Sequence, residues 1–247
     1  MIIDPIIIYV IFVIFLATLI RSTFGFGESL IAVPLLALYI PLKVAVPISV
    51  LVSITIAGVV VVQDWKKIHI KSAGWLVFFT ILGIPLGLLL LTLGDEQIVK
   101  AGLGIIIILF SLYSLLGKRS ITLETDNKIW LFICGLFAGI FGGAYGLNGP
   151  PLVLYGSMRR WSAQHFRATL QGYFLPASLI GMFGYWLEGL WVPAVTHYFL
   201  CGLPGILPAI VLGRVINSRM RGASFFTYVY CLLVCIGAVL LAQSIKV

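Results

Sequence analysis

The chain has 247 residues, of which 61% are hydrophobic and only 10% charged, and its mean hydropathy is +1.15. A soluble domain carries roughly 25% charged residues, so this composition excludes one and indicates a polytopic membrane protein. The net charge of +8 does not imply a nucleic-acid partner, because the sixteen Lys and Arg are spread over the connections between apolar runs and form no single stripe.

Ten apolar segments follow in order, at roughly 5–22, 26–40, 44–62, 73–93, 98–116, 128–144, 149–158, 167–186, 192–212 and 224–243. About 20 apolar residues span a bilayer as helix, and several runs reach that length. A barrel would alternate in polarity, whereas Ile105-Ile106-Ile107-Ile108-Leu109-Phe110 is continuous. The fold class expected is therefore an all-α polytopic membrane protein. The first segment follows Asp4 rather than a basic start, and no small-residue cleavage pattern precedes Arg21, so it reads as a membrane segment and not a cleaved signal. The segment at 149–158 is too short to cross about 30 Å of hydrocarbon and reads as a half-helix.

The chain repeats itself at an offset of 121 residues. Phe24-Gly25-Phe26-Gly27-Glu28-Ser29-Leu30-Ile31-Ala32-Val33 aligns without a gap on Tyr145-Gly146-Leu147-Asn148-Gly149-Pro150-Pro151-Leu152-Val153-Leu154, and the same register carries Trp65 to Trp186. This divides the one integral membrane domain into an N-terminal repeat, 1–120, and a C-terminal repeat, 121–247. Each holds five segments, and an odd number inverts the second repeat relative to the first. The charges agree. Lys66, Lys67 and Lys71, then Lys118, Arg119 and Lys128, then Arg159 and Arg160, then Arg214, Arg219 and Arg221 mark cytoplasmic connections, while Asp4, Asp95-Glu96 and Glu188 fit the opposite side. Both termini are expected outside the cytoplasm, in a multi-pass protein of a bacterial-type inner cell membrane.

Glycine-rich breaks at matched positions of two inverted halves point to a substrate site where broken or re-entrant helices meet near the bilayer midplane. Helix starts there carry unpaired N–H groups and partial positive charge, which suits an anion. The site candidates are Gly25, Gly27, Glu28 and Ser29 in the first break and Gly146, Asn148 and Gly149 in the second, with Arg21 and Gln171 as supporting polar groups. Pro150-Pro151 suits a helix start, and Asn148 reads as its cap or as an amide donor to the ligand. Glu28 admits three readings: proton coupling or gating, a first-turn helix role, or a position near the surface. Arg21 either supplies charge to an anion or ends the first segment at the interface. Arg167, at i, i+4 from Gln171, reads as a charge at the cytoplasmic boundary.

Cys134, Cys201, Cys231 and Cys235 sit in apolar runs as packing residues, and His165 and His197 have no partners at metal-ligand spacing, so no metal or cofactor is expected. No nucleophile–base constellation points to an enzyme. Tyr185-Trp186 and Trp191 around Glu188 read as an interfacial aromatic belt. The pairs Gly83 with Gly87 and Gly181 with Gly184 offer small-residue faces, either for packing within a protomer or for a homodimer.

The doubled turns, Gly25-Phe26-Gly27-Glu28-Ser29-Leu30-Ile31-Ala32-Val33-Pro34-Leu35 and Gly146-Leu147-Asn148-Gly149-Pro150-Pro151-Leu152-Val153-Leu154-Tyr155, resemble those of the sulfite exporter TauE/SafE family of membrane transporters. Val44-Ala45-Val46-Pro47 and Phe166-Arg167-Ala168-Thr169 extend the similarity. The resemblance implies export or uptake of small sulfur-containing anions, such as sulfite or organosulfonates, without an ATPase domain. This chain departs from the family pattern in placing Glu28 and Ser29 where a denser glycine run is usual, and a carboxylate beside an anion site repels a dianion unless protonated. The expected function is a secondary transporter working by alternating access around the two breaks, with an anion-selective channel as the alternative.

Overall fold

A computed structural model describes residues 4–64, 70–116, 123–161, 163–219 and 224–245. Trp65, Lys66, Lys67, Lys118, Arg119 and Arg221 lie outside the described residues, as do the side chains of Gln164, His165, Arg167 and Arg219. The described chain forms ten helices: α1 (Pro5–Phe24), α2 (Glu28–Leu36), α3 (Leu42–Asp64), α4 (Ile70–Leu93), α5 (Glu96–Leu115), α6 (Lys128–Tyr145), α7 (Gly149–Met158), α8 (Ala163–Leu187), α9 (Pro193–Arg219) and α10 (Ser224–Ile245). Glu28 and Gly149 begin α2 and α7, and Leu42 and Ala163 begin α3 and α8, each pair in the 121-residue register.

Six of these helices are long and apolar enough to cross a membrane: α1, α3, α4, α5, α6 and α9. At 1.5 Å per residue α2 and α7 are only about 14–15 Å long, half the hydrocarbon thickness. Segment two therefore ends earlier than the expected 26–40, since the chain leaves the helix after Leu36 into a turn over 37–39. Segment nine extends further than expected, to Arg219. Helix starts are built by acids and amides that accept from the first free amides: Asp4 from Ile6 (3.0 Å), Asp95 from Gln97 (2.9 Å) and Asn127 from Ile129 (2.9 Å).

Packing follows the repeat. α1 lies on α9 and its counterpart α6 lies on α4, while α3 pairs with α8 and α5 with α10. Close approach fixes the direction of two of these pairs. A Cβ on Gly83 would meet the Leu136 carbonyl and Ile140 N, and one on Gly87 would meet the Ile140 carbonyl and Ala144 N, so α4 and α6 run parallel in backbone contact. Gly202 beside Ile14 and Gly213 beside Ser22 make α1 and α9 parallel in the same way. The Gly83 and Gly87 face is thus used inside the protomer. Gly181 has open space above it.

Each short helix folds back on its predecessor. The Tyr9 hydroxyl near the start of α1 donates to the Leu35 carbonyl at the end of α2 (2.7 Å), and its ring packs edge-on to Tyr39. In the second half, Leu123 before α6 donates to Met158 at the end of α7 (2.8 Å). The outward faces are apolar, as at Leu82, Leu86 and Leu93 of α4, which suits lipid. The expected belt loses one member: Trp186 and Trp191 are exposed, but Tyr185 is buried and donates to the carbonyls of Gly142 (2.7 Å) and Gly143 (2.9 Å). A buried phenol needs an acceptor, and the tightly packed, glycine-rich end of α6 supplies it.

Candidate functional site

The two breaks share one geometry at their first glycine. α1 ends on Gly25 at φ +88° and α6 on Gly146 at φ +67°, left-handed conformations that β-carbon crowding makes costly for other residues. The second positions differ. Gly27 stays left-handed at φ +100°, whereas its counterpart Asn148 is right-handed at φ −71°.

This difference carries into the helix starts. The first four N–H groups of a helix lack intrahelical partners, and at α2 these belong to Gly27, Glu28, Ser29 and Leu30. At α7 the corresponding residues are Asn148, Gly149, Pro150 and Pro151, so only two can donate. Both starts were expected to carry unpaired N–H groups, and the second carries only two of them. A small cavity lies between the breaks, lined by Gly27, Glu28, Ser29 and Leu30 on one side and Gly146, Leu147 and Gly149 on the other, with Phe174 of α8. Its volume is about 10 Å³, room for about one water.

Behind the donor-rich start stands Arg21, with 0% of its surface exposed. It does not end α1 at an interface. Its Nη1 pairs with Glu28 Oε1 (2.6 Å) and donates to Ser53 Oγ of α3 (2.6 Å), its Nη2 donates to Gln171 Oε1 of α8 (2.7 Å), and its guanidinium lies over the Phe174 ring at 4.6 Å. Gln171 Nε2 donates in turn to the Gly25 carbonyl (2.7 Å), tying the break to α8. Ser29 donates to Glu28 (3.1 Å) and Ser49 to Ser29 (3.1 Å), and Ser53 shares a hydrogen bond with Ser178 (3.1 Å). Glu28 is buried in the first turn of α2, which removes the surface reading, and its charge is compensated by Arg21. Removing one member of such a buried pair costs about 3–5 kcal/mol.

The 121-residue register puts Gly142 opposite Arg21 and Gly149 opposite Glu28, so the ion pair has no counterpart in the second half. Asn148 makes no side-chain cap on α7. Its amide donates to the Tyr173 hydroxyl (3.2 Å), which shares a hydrogen bond with Thr80 (2.7 Å), and it packs against Gly142 rather than lining the cavity. Of the expected site residues, the fold gathers Arg21, Gly25, Gly27, Glu28, Ser29, Gly146, Gly149 and Gln171 around the breaks and turns Asn148 toward α6.

Sequence reading passed over Ser49, Ser53, Phe174 and Ser178. Ser49 and Ser53 lie at i, i+4 on an otherwise apolar stretch, and that polar stripe was the available signal. It also passed over Asp126, which accepts from Ser72 at the start of α4 (2.7 Å), from Tyr155 of α7 (2.8 Å) and from Arg159 Nε (3.0 Å), while Arg159 Nη1 donates to the Leu123 carbonyl (2.9 Å). Arg159 is thus a fastening between α7 and the chain leading into α6 as well as a basic connection. Among the described residues, no three His, Cys, Asp or Glu cluster at metal-binding range.

The family model described as sulfite exporter TauE/SafE matches residues 10–240. No curated protein and no solved structure matches the chain.

Proposed function

The chain belongs to the sulfite exporter TauE/SafE family, a family of membrane transporters, and from that premise we propose that it is a secondary transporter of small sulfur-containing anions working by alternating access around the two helix breaks. The observation that carries this reading is the cavity between the breaks, walled by Gly27 and the first three residues of α2, whose N–H groups the helix leaves unpaired, with the buried Arg21 behind them. Aligned backbone donors, the positive end of a helix and a guanidinium all favour an oxyanion. Gly146 and Gly149 let the second break approach the same space, with the Ser29 hydroxyl 3.7 Å from where a Cβ on Gly146 would stand.

The cavity holds about one water, so a sulfur oxyanion enters only when the breaks part. That favours a transporter that opens to one side at a time over a standing pore. Alternation has a structural basis in the packing symmetry, where α1 on α9 matches α6 on α4. The parallel course of these pairs is what alternate threading of the segments requires; the charges of the connections are the ground for inverted halves, for termini outside the cytoplasm and for a place in the cell membrane. Gly83 and Gly87 do not supply a dimer face, because α6 covers them.

Proteoliposomes preloaded with unlabelled thiosulfate or methanesulfonate test the reading. Transient uphill accumulation of the labelled anion, saturating with concentration, is expected of the transporter. Flux without such counterflow would make the protein a channel, and the absence of flux for every sulfur anion tried would remove the assignment.

A further inference from the structure

Among the described residues, the carboxylate of Glu28 is the one group that already occupies Arg21 as an oxyanion would. Resting on the transporter reading above, we propose that the transported species is a monoanion that takes the place of the Glu28 carboxylate on Arg21, and that Glu28 binds one proton as it is displaced.

The cation is built to stay when its partner leaves. Ser53 of α3 and Gln171 of α8 hold the guanidinium from two other helices, and Phe174 lies against its face. A guanidinium has five N–H donors, and the buried Nε–H of Arg21 has no partner among the described residues. A ligand oxygen therefore finds both a donor in competition with Glu28 and a spare one. Glu28, by contrast, is held by Arg21 and by the neighbouring Ser29 hydroxyl, and it borders the cavity. Its side chain can leave without breaking the scaffold.

Charge balance gives the proton. The Arg21–Glu28 pair is neutral, and both side chains are almost wholly buried. A monoanion on Arg21 with Glu28 still ionised would leave one uncompensated negative charge in that place, which is costly. When the Glu28 carboxylate takes a proton from the water on the side of entry, it becomes a neutral acid and the loaded site is neutral again. No bond within the anion changes. A dianion leaves a net negative charge even then, so the site selects against it.

Among the described side chains, no second ionisable group takes the load; on α1 the Tyr9 hydroxyl is bound to the Leu35 carbonyl at the far end of α2. On the helices packed around α2, Lys43 of α3 donates to the Thr92 carbonyl (3.0 Å) and Glu96 and Lys100 of α5 pair with each other (3.1 Å). Cys231 and Cys235 of α10 are exposed, and the buried Tyr145 hydroxyl lies against Gly102 of α5. Among the described side chains of α8, Gln171 and Phe174 face the pair.

The test uses purified full-length protein in liposomes with a trapped pH dye. Methanesulfonate is the probe because it is a monoanion at every working pH and does not cross lipid unaided. An inward methanesulfonate gradient should acidify the lumen of wild-type vesicles, and sulfate should compete for labelled methanesulfonate at least about ten-fold less well. Whatever methanesulfonate exchange Glu28→Gln retains should no longer acidify the lumen, and the variant should bind the anion about ten- to hundred-fold more tightly, one charge-assisted competitor having been removed. Wild-type exchange without any proton movement would overturn this inference and leave the transporter reading standing. Loss of all exchange in wild type would overturn both. If Glu28→Gln does not assemble, the wild-type proton flux decides alone.

Discussion

Gln171 ties three elements together at one point, and replacing it by leucine gives a sharp test of the site's architecture. Its Oε1 accepts from Arg21 Nη2 at 2.7 Å and its Nε2 donates to the Gly25 carbonyl at 2.7 Å, in a position only 3% exposed. Leucine matches the side chain in bulk, so the change opens little cavity and isolates the polar loss. A hydrogen bond to a charged group contributes about 1.5–3 kcal/mol, and a buried carbonyl left without a donor costs about 1–3 kcal/mol. Water has little room to replace either. Apolar gain from the leucine offsets a fraction, leaving a net loss of roughly 3–5 kcal/mol. At about 2–4 °C per kcal/mol for a chain of this size, the melting midpoint in detergent should fall by the order of 10 °C. Gln171→Glu restores an acceptor for Arg21 but no donor for Gly25, and should fall between leucine and wild type. A midpoint for Gln171→Leu within about 1 °C of wild type would refute the claim that Gln171 ties the first break to α8.

Other perturbations test separate contacts. Gly83→Val drives a side chain into the Leu136 carbonyl, Ile140 N (2.8 Å) and Gly139 Cα (2.9 Å), backbone atoms that cannot rotate away. It should cost at least about 3 kcal/mol and abolish the monodisperse peak in detergent chromatography, whereas Gly58→Ala, with nothing within 4 Å, should leave that peak unchanged. Asp126→Ala removes the acceptor shared by Ser72, Tyr155 and Arg159. Because the Asp126–Arg159 pair is partly exposed, its loss is worth only about 1 kcal/mol. The Leu123 amide, bonded to Met158, should then exchange about five-fold faster with deuterium; an unchanged rate would mean that Asp126 does not fasten α7.

The position of the breaks was legible because its cause is local. Gly25 and Gly146 each end a helix in a left-handed conformation, and a gapless register across 121 residues carries that pattern from one half to the other. The shortness of α7 followed from counting apolar residues, and its predicted bounds at 149–158 coincide with the helix. Asn148 shows where such reasoning stops. Position in a turn names it as a cap or a ligand donor, but which way its amide points depends on Tyr173, which lies 25 residues away on α8. Tyr185 was misread for the same reason, since composition marks a Tyr-Trp pair near Glu188 as interfacial while the acceptors of its hydroxyl sit on α6.

The sequence by itself determined the membrane class and the place of the two breaks, because transfer free energy and backbone preference act on short stretches of chain. Only the tertiary structure decided that the charges of the first break form a buried, braced pair, an asymmetry of assembly and not of composition alone. That asymmetry depends on Arg21 meeting Gln171 across 150 residues and on Glu28 closing onto Arg21 out of water. A charge can be buried only where packing assembles its partners from several helices at once, and no single stretch of sequence contains that set.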